Sequence, residues 1–416
     1  MEYRPRVVDA ELRSALAAAG AVVIEGPKAC GKTVTALQVA ASEVRVDTDP
    51  RVAAALAVDS SLLLDAPPPL LLDEWQVQPS LWNHVRRAVD DRQLTGQFIL
   101  TGSATPTDDA TRHSGAGRFA RIRMRPMSLF ETGLSTGRIS LGELLAGESS
   151  QVSQPDLPLT VLAERIVTGG WPALQALPAS AAARSVRDYL ATIEQVDVPR
   201  ASGSRRDPVK VARIISALAR NVATAASVTT LATDSGRDGQ ELARNTVDDY
   251  LDILARLMIV EDQPAWSTHL RSAATARKSP KRHFVDPSLA AAALRATPTS
   301  ILADLNFFGL LFESLAVRDL RIYAQTVDGV VSQYRDSSGL EVDAIVTTGD
   351  GRWGAFEVKL GVGQVDAAAR GLLRFRDRVD TRRMGEPAFL GVITPSGLGY
   401  RRPDGVHVLP LGALAP

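Results

Sequence analysis

GPKACGKT, residues Gly26 to Thr33, follows the apolar run AVVI at Ala21–Ile24 and leads into TVTALQVAAS. An apolar strand, a Gly-rich loop and a helix in that order make the setting in which backbone N–H groups cradle phosphate. The spacing G-x-x-x-x-G-K-[ST] assigns Gly26, Pro27, Lys28, Ala29, Cys30, Gly31, Lys32 and Thr33 to the phosphates of a nucleotide. Lys32 is expected at the β- and γ-phosphates, and Thr33 offers its hydroxyl to Mg²⁺. ATP and Mg²⁺ are therefore the cofactors this stretch calls for. Cys30 is the single cysteine. Its place in the loop predicts a thiol open to a maleimide when nucleotide is absent and shielded when it is bound.

Downstream stretches extend the same chemistry. LLLDEWQ puts Asp73 and Glu74 at the end of an apolar strand, the end at which parallel α/β sheets carry ligands. Asp73 is expected to hold Mg²⁺ together with Thr33. Glu74 supplies a second carboxylate able to orient the attacking water, which favours hydrolysis over small-molecule phosphorylation. QFILTGS ends in Thr101, Gly102 and Ser103, and a polar side chain there can sense the γ-phosphate from the other side. With VRVDTD and RFARIRMRP as further strands and PSLWNHVRRAVDD as a helix, residues 1–135 read as a parallel α/β domain.

The chain resembles prokaryotic AAA-type ATPases whose P-loop module is fused to a C-terminal domain of unknown function with a nuclease-like end. The resemblance rests on GPKACGKT, LLLDEWQ, ILTGS, GAGRFARIRMRPMSLFE, the GGWP at Gly169–Pro172 and GLLFESLAV…EVDAIV…FEVKLG. It implies that a GR after the TGS strand supplies an arginine to the nucleotide, which lands on Arg118, with Arg121, Arg123 and Arg125 close behind. Trp75 departs from the smaller aliphatic residue expected beside Glu74.

Composition sets outer limits. Of 416 residues, 47 are Lys or Arg and 47 are Asp or Glu, so no global charge draws the chain to nucleic acid or membrane. Any such contact must come from a local patch. One cysteine forms no internal disulfide, which is expected of a reducing cytoplasm. No run of 18 apolar residues predicts a membrane span.

Residues 136–206 read as a loose connector, with one short helix, and a helical lid. Residues 207–300 contain DPVKVARIISALARNV, SVTTLATDSG and RNTVDDYLDILARLMIVED, the order of a winged helix-turn-helix. RSAATARKSPKRH, Arg271–His283, falls where the wing would lie. Its Arg271, Arg277, Lys278, Lys281 and Arg282 fit either a phosphate-gripping wing or a solvated loop.

Residues 301–416 carry a second constellation. Glu313 lies on an amphipathic helix, and LEVDAIVTT and WGAFEVKLG read as a hairpin about Gly349–Gly351. Asp343 and Glu357 are equidistant from Asp350, so a turn centred there sets the two acids opposite each other, about 5 Å apart at Cβ. Two carboxylates that close need a cation between them, either Mg²⁺ or the Lys359 ammonium. The helical Glu followed by D…E-x-K resembles restriction-endonuclease-like nucleases, which implies Mg²⁺ on Asp343 and Glu357, with Lys359 orienting water.

The fold expected is thus an N-terminal AAA-like parallel sheet, a winged-helix-like middle and a C-terminal α/β nuclease-like domain. The function expected is Mg-dependent ATP hydrolysis coupled to action on DNA, RNA or a protein partner, with a homo-oligomer as a candidate assembly. Two alternatives stand beside it: an ATP-gated Mg-dependent nuclease using Glu313, Asp343, Glu357 and Lys359, and a signalling switch that holds ATP without turnover.

Overall fold

The computed structural model describes residues 2–103, 114–148, 157–202, 207–236, 241–267 and 279–416. The chain forms two units, one of Met1–Pro126 with Ile253–Met258, the other of Met127–Asp252 with Ile259–Pro416.

In the first unit, α1 (Val8–Ala18) precedes β1 (Ala21–Glu25), α2 (Lys32–Ala36) and β2 (Ser42–Arg45). Next come α3 (Arg51–Val58), α4 (Ser61–Leu64), β3 (Leu70–Asp73), α5 (Leu81–Arg92), β4 (Phe98–Gly102) and β5 (Phe119–Arg123). The strands form one sheet in the order β2-β3-β4-β1-β5, and every pairing is parallel. Alternation along a strand sends successive side chains to opposite faces. Ala21 and Val23 accordingly join Leu70, Leu72, Phe98 and Leu100 under Trp82 and Val85 of α5. Val22 and Ile24 join Leu71, Ile99 and Ile122 under Val8 and Leu12 of α1. Both faces are covered along β1, β3 and β4, which is why those three are apolar runs, whereas the edge strands β2 and β5 keep polar residues.

The helix after the Gly-rich loop is shorter than TVTALQVAAS predicts, ending at Ala36. Thr33, Val34 and Thr35 are β-branched and lower helix propensity. The chain is then drawn into the sheet, where Ala41 N donates to Pro69 O at 2.9 Å.

The second unit begins with MSLFE. Its Leu129 N donates to Asp319 Oδ2 at 3.0 Å, and Phe130 N to Tyr323 Oη at 3.3 Å. Then follow β6 (Ile139–Ser140), α6 (Leu141–Leu145), α7 (Leu159–Thr168), α8 (Ala179–Thr192) and α9 (Val198–Ala201). The connector is not loose where it is described. Ser135 Oγ donates to Leu414 O at 2.6 Å, and β6 pairs with the C-terminal strand.

Helices α10 (Pro208–Arg220), α11 (Val228–Asp234) and α12 (Arg244–Arg256) precede the antiparallel pair β7 (Val260–Gln263) and β8 (Lys281–Phe284). Three helices and the strand at Val260–Gln263 follow in the expected order, and the ribbon's second strand, Lys281–Phe284, lies where the sequence suggested a wing or a solvated loop. Arg271, Arg277 and Lys278 lie outside the described residues. Lys281 and Arg282 are not on a solvated loop: both are buried on β8, and Arg282 Nη1 meets Asp262 at 2.9 Å.

Helices α13 (Pro287–Ala293), α14 (Pro298–Ala303) and α15 (Leu305–Ala324) lead to β9 (Val330–Arg335), β10 (Glu341–Thr347) and β11 (Trp353–Val358). Helix α16 (Val365–Arg376), α17 (Thr381–Met384), β12 (Phe389–Thr394), β13 (Tyr400–Arg401), β14 (His407–Pro410) and β15 (Leu414–Ala415) complete the chain. The sheet order is β13-β14-β12-β11-β10-β9. It is antiparallel from β9 to β11 and parallel from β11 through β12 to β14. α16 makes the crossover that a parallel step requires, burying Ala369, Leu372 and Phe375 against Val342, Ile345 and Trp353.

A buried ionic knot ties this unit together. Arg318 of α15 reaches Asp286 at 2.8 Å and Asp319 at 2.7 Å. Asp286 also accepts from the backbone N of Gly170 and of Ser288, both at 2.9 Å. Trp171 Nε1 donates to Ser288 Oγ at 3.0 Å. Gly170 and Trp171 of GGWP, with Arg318 and Asp319, thus serve packing here.

Candidate functional site

Strand β4 lies between β1 and β3, and this insertion builds the nucleotide site. The register aligns Thr101 with Ile24 on one side and with Asp73 on the other. The ends of the three strands therefore bring the Gly-rich loop, Thr101 and Asp73 to one edge of the sheet. Thr33 Oγ1 donates to Asp73 Oδ1 at 2.9 Å, and Thr101 Oγ1 donates to the same oxygen. A hydroxyl and a carboxylate side by side are the hard-oxygen donors that suit Mg²⁺, which protein sites complete with substrate phosphates.

The loop itself is shaped by backbone. Gly31 has φ 107° and Ala29 φ 61°, a left-handed sequence of turns that lets successive N–H groups converge. Lys32 is buried, and its ammonium donates to Gly26 O at 3.0 Å and Pro27 O at 2.9 Å. Arg6 Nη1 braces the loop from outside by donating to Cys30 O at 2.9 Å. The Cys30 side chain is fully buried among Val22, Ile24 and Met124. The expectation of a nucleotide-shielded, reactive thiol fails, because the side chain turns into the core and leaves only its backbone to the loop.

Glu74 sits just past β3 with φ 54° and ψ 41°. A left-handed non-glycine residue at a functional edge is backbone strain held by its surroundings. Its Oε2 accepts from Gln76 Nε2 and from Ser103 Oγ, the latter at 3.2 Å. Gln76 went unremarked in the sequence reading, although it lies two residues from the acid. Its Oε1 is buried and, among the described residues, has no hydrogen-bond partner. An acceptor left over beside the candidate base suits a water. Trp75 is buried against Trp82, with ring centroids 5.1 Å apart. The bulkier side chain is accommodated by Gly102, where a Cβ would come within 3.0 Å of Trp75 Nε1.

Arg118 does not join its own molecule's site. It directly precedes β5, whose Phe119 pairs with Ala21, whereas the loop leaves β1 beyond Glu25, level with Arg123. Four to five strand residues at 3.3 Å each separate the two, about 15 Å. Arg118 Nε instead donates to Asp90 at 2.8 Å. Arg121 meets Glu25 at 2.5 Å.

The C-terminal acids do converge. Ala344 pairs with Phe356 and Ile345 with Ala355, a register centred on Asp350 whose paired rungs end just short of Asp343 and Glu357. Lys359 Nζ lies 2.5 Å from Glu357 and 3.1 Å from Asp343. A group that sequence reasoning did not place here completes the cluster: Lys281 Nζ lies 2.6 Å from Glu313 and 3.0 Å from Asp343. Burial and the Asp343 charge push Glu357 up to about 8 and Glu313 up to about 7. Burial would raise Asp343 too, but Lys281, Lys359 and the Val358 amide hold it well below the usual carboxylate range. Among the described residues no group of three His, Cys, Asp or Glu side chains is arranged to hold a metal ion. The donor set does not fit the Mg²⁺ expected on Asp343 and Glu357, because two ammonium groups already occupy its oxygens.

A five-stranded parallel sheet with a phosphate-type loop after β1 and a DE pair after β3 defines a P-loop nucleotide-binding module. Comparison with known families agrees: residues 18–133 match the AAA domain. Residues 159–300 match a domain of unknown function, DUF8612, and residues 308–414 another, DUF4143. No curated protein sequence matches the chain. Among solved structures, the Walker-type ATPase PABY2304 of Pyrococcus abyssi is similar at a TM-score of 0.42 and 12% identity, over 70% of this chain and 99% of that one. No helix among the described residues is long and apolar enough to cross a membrane.

Proposed function

We propose that this protein is a Mg²⁺-dependent ATPase that couples hydrolysis to action on a nucleic acid or a protein partner. The observation that carries the reading is the single Asp73 oxygen shared by Thr33 and Thr101, with Glu74 next in the chain. In this scheme the loop amides and Lys32 bind the phosphates, and Thr33 and Asp73 hold Mg²⁺. Glu74, oriented by Gln76 and Ser103, aligns the attacking water, and Thr101 senses the γ-phosphate. The element order of residues 207–284 supports a winged-helix reading, and with it DNA as one class of partner. Arg118, remote from its own loop, serves a neighbouring molecule's nucleotide in a homo-oligomer.

Phosphate release measured with and without Mg²⁺, and with added duplex DNA, single-stranded DNA or RNA, tests the proposal. Turnover should require Mg²⁺ and fall at least a hundredfold in Asp73→Asn. Stimulation by one of the nucleic acids would identify the partner class. Metal-independent turnover, or full activity in Asp73→Asn, would refute the scheme.

A further inference from the structure

The hairpin resemblance calls for a divalent cation on Asp343 and Glu357, yet the fold delivers an ammonium group to Asp343 from a different element, between it and Glu313. β10 carries a register shift against β9 between Val342 and Ile345. A bulge adds a residue to one strand, leaves main-chain groups free and re-aims side chains. The freed Asp343 carbonyl accepts from Gln263 Nε2 at 2.9 Å, and the same amide donates to Ser332 O at 3.1 Å. Gln263 pairs directly with Lys281 in the β7–β8 ribbon. With its Nε2 committed to two carbonyls, Gln263 Oε1 must accept, here from His283 Nε2 at 3.1 Å. His283 Nδ1 then accepts from Ser314 Oγ at 3.2 Å, beside Glu313. Burial, with Arg321 and Lys281 nearby, holds His283 well below its ordinary value, hence neutral. Lys281 and His283 are two apart on β8 and share a face. The ribbon is thereby locked to the bulge, with the Lys281 ammonium set between two carboxylates.

We propose that Lys281 is a built-in counter-ion standing where a divalent metal ion would bind, so that this cluster takes up no Mg²⁺. Asp343 Oδ1 faces Lys281, and Asp343 Oδ2 faces both Lys359 and the Val358 amide. A divalent cation needs carboxylate oxygens at about 2.1 Å, and two ammonium groups within 3.1 Å of those oxygens would repel it. Three carboxylates balanced by two lysines carry a surplus of one negative charge, which a single proton neutralises. The metal ion that the nuclease resemblance requires is replaced by two side chains of this chain.

Mn²⁺ titration of the nucleotide-free full-length protein, followed by electron paramagnetic resonance, tests this independently of the ATPase reading. Wild type and Asp343→Asn should bind the same number of Mn²⁺ ions. Lys281→Ala should gain one ion that Lys281→Ala/Asp343→Asn lacks. Lys281→Met keeps the aliphatic stem and should show the same gain if the alanine variant does not fold. The wild type against Asp343→Asn comparison stands without either. One more ion bound by wild type than by Asp343→Asn would overturn the proposal, as would no gain in a folded Lys281 variant.

Discussion

Gln76 is where a single side chain decides the most. It donates to Glu74 and has an acceptor left over, so it holds the carboxylate proposed to act as base and is placed to share the proposed attacking water. A hydrogen bond to a charged group contributes about 1.5 kcal/mol or more, roughly tenfold in rate. Gln76→Ala should therefore lower kcat about tenfold with KM for ATP nearly unchanged, in steady-state kinetics. A rise in KM without loss of kcat would show that Gln76 acts on binding and not on Glu74. Cys30 makes the opposite case. Because its sulfur is buried in the core beneath the loop, a maleimide should label it only on unfolding and at a rate indifferent to Mg-ATP. Fast labelling that nucleotide blocks would mean the thiol faces the phosphates.

At the scale of elements, the cluster that the β10–β11 hairpin forms with α15 and β8 carries a pH response. Glu313 and Glu357 face Asp343, Lys281 and Lys359, and titrate near 7 and 8 instead of the ordinary 4.5. The folded protein thus keeps protons that the unfolded chain has already lost. That contribution to stability is fully present below about pH 4.5 and is lost as pH rises through about 8. Buried, neutral His283 acts in the opposite sense below about pH 6.5, so the difference is the measure: in urea denaturation the stability of wild type relative to Glu357→Gln should fall between pH 5 and 8. An identical slope in the variant would place the titrating group elsewhere.

This same hairpin shows what a sequence can and cannot reveal. Its register followed from symmetry about Asp350, and the parallel strands of the nucleotide unit followed from apolar runs, since both signals are local. Lys281 was hidden in a run of basic residues, 62 positions from Asp343. Nothing local distinguishes a solvated lysine from one that a distant bulge pulls into the core. The Arg318 knot was invisible for the same reason. Asp286 and Asp319 lie 33 positions apart with no local pattern between them, and only the packing of α13 and α15 brings them to Arg318. The short α2 could be anticipated from its β-branched residues, but the strand pairing that ends it could not.

For the whole molecule, the position of Arg118 at the far end of β5 has a consequence for assembly. If Arg118 serves a nucleotide as proposed, a distance of about 15 Å from its own loop requires that a neighbouring molecule hold that nucleotide. Specific ATPase activity should rise with protein concentration, and Arg118→Ala should abolish the rise while still binding ATP. Activity per molecule that stays flat across a wide dilution series would exclude the role in trans. The central claim, that the P-loop edge with Glu74 hydrolyses ATP, is tested most directly by single-turnover analysis of bound nucleotide. Wild type, Lys32→Ala and Glu74→Gln would each be loaded with radiolabelled ATP and Mg²⁺, and the bound species resolved over time. The wild type should convert ATP to ADP, Glu74→Gln should bind as well but convert it about a hundredfold more slowly, and Lys32→Ala should retain none. Conversion by Glu74→Gln at the wild-type rate, or undiminished binding by Lys32→Ala, would contradict the account.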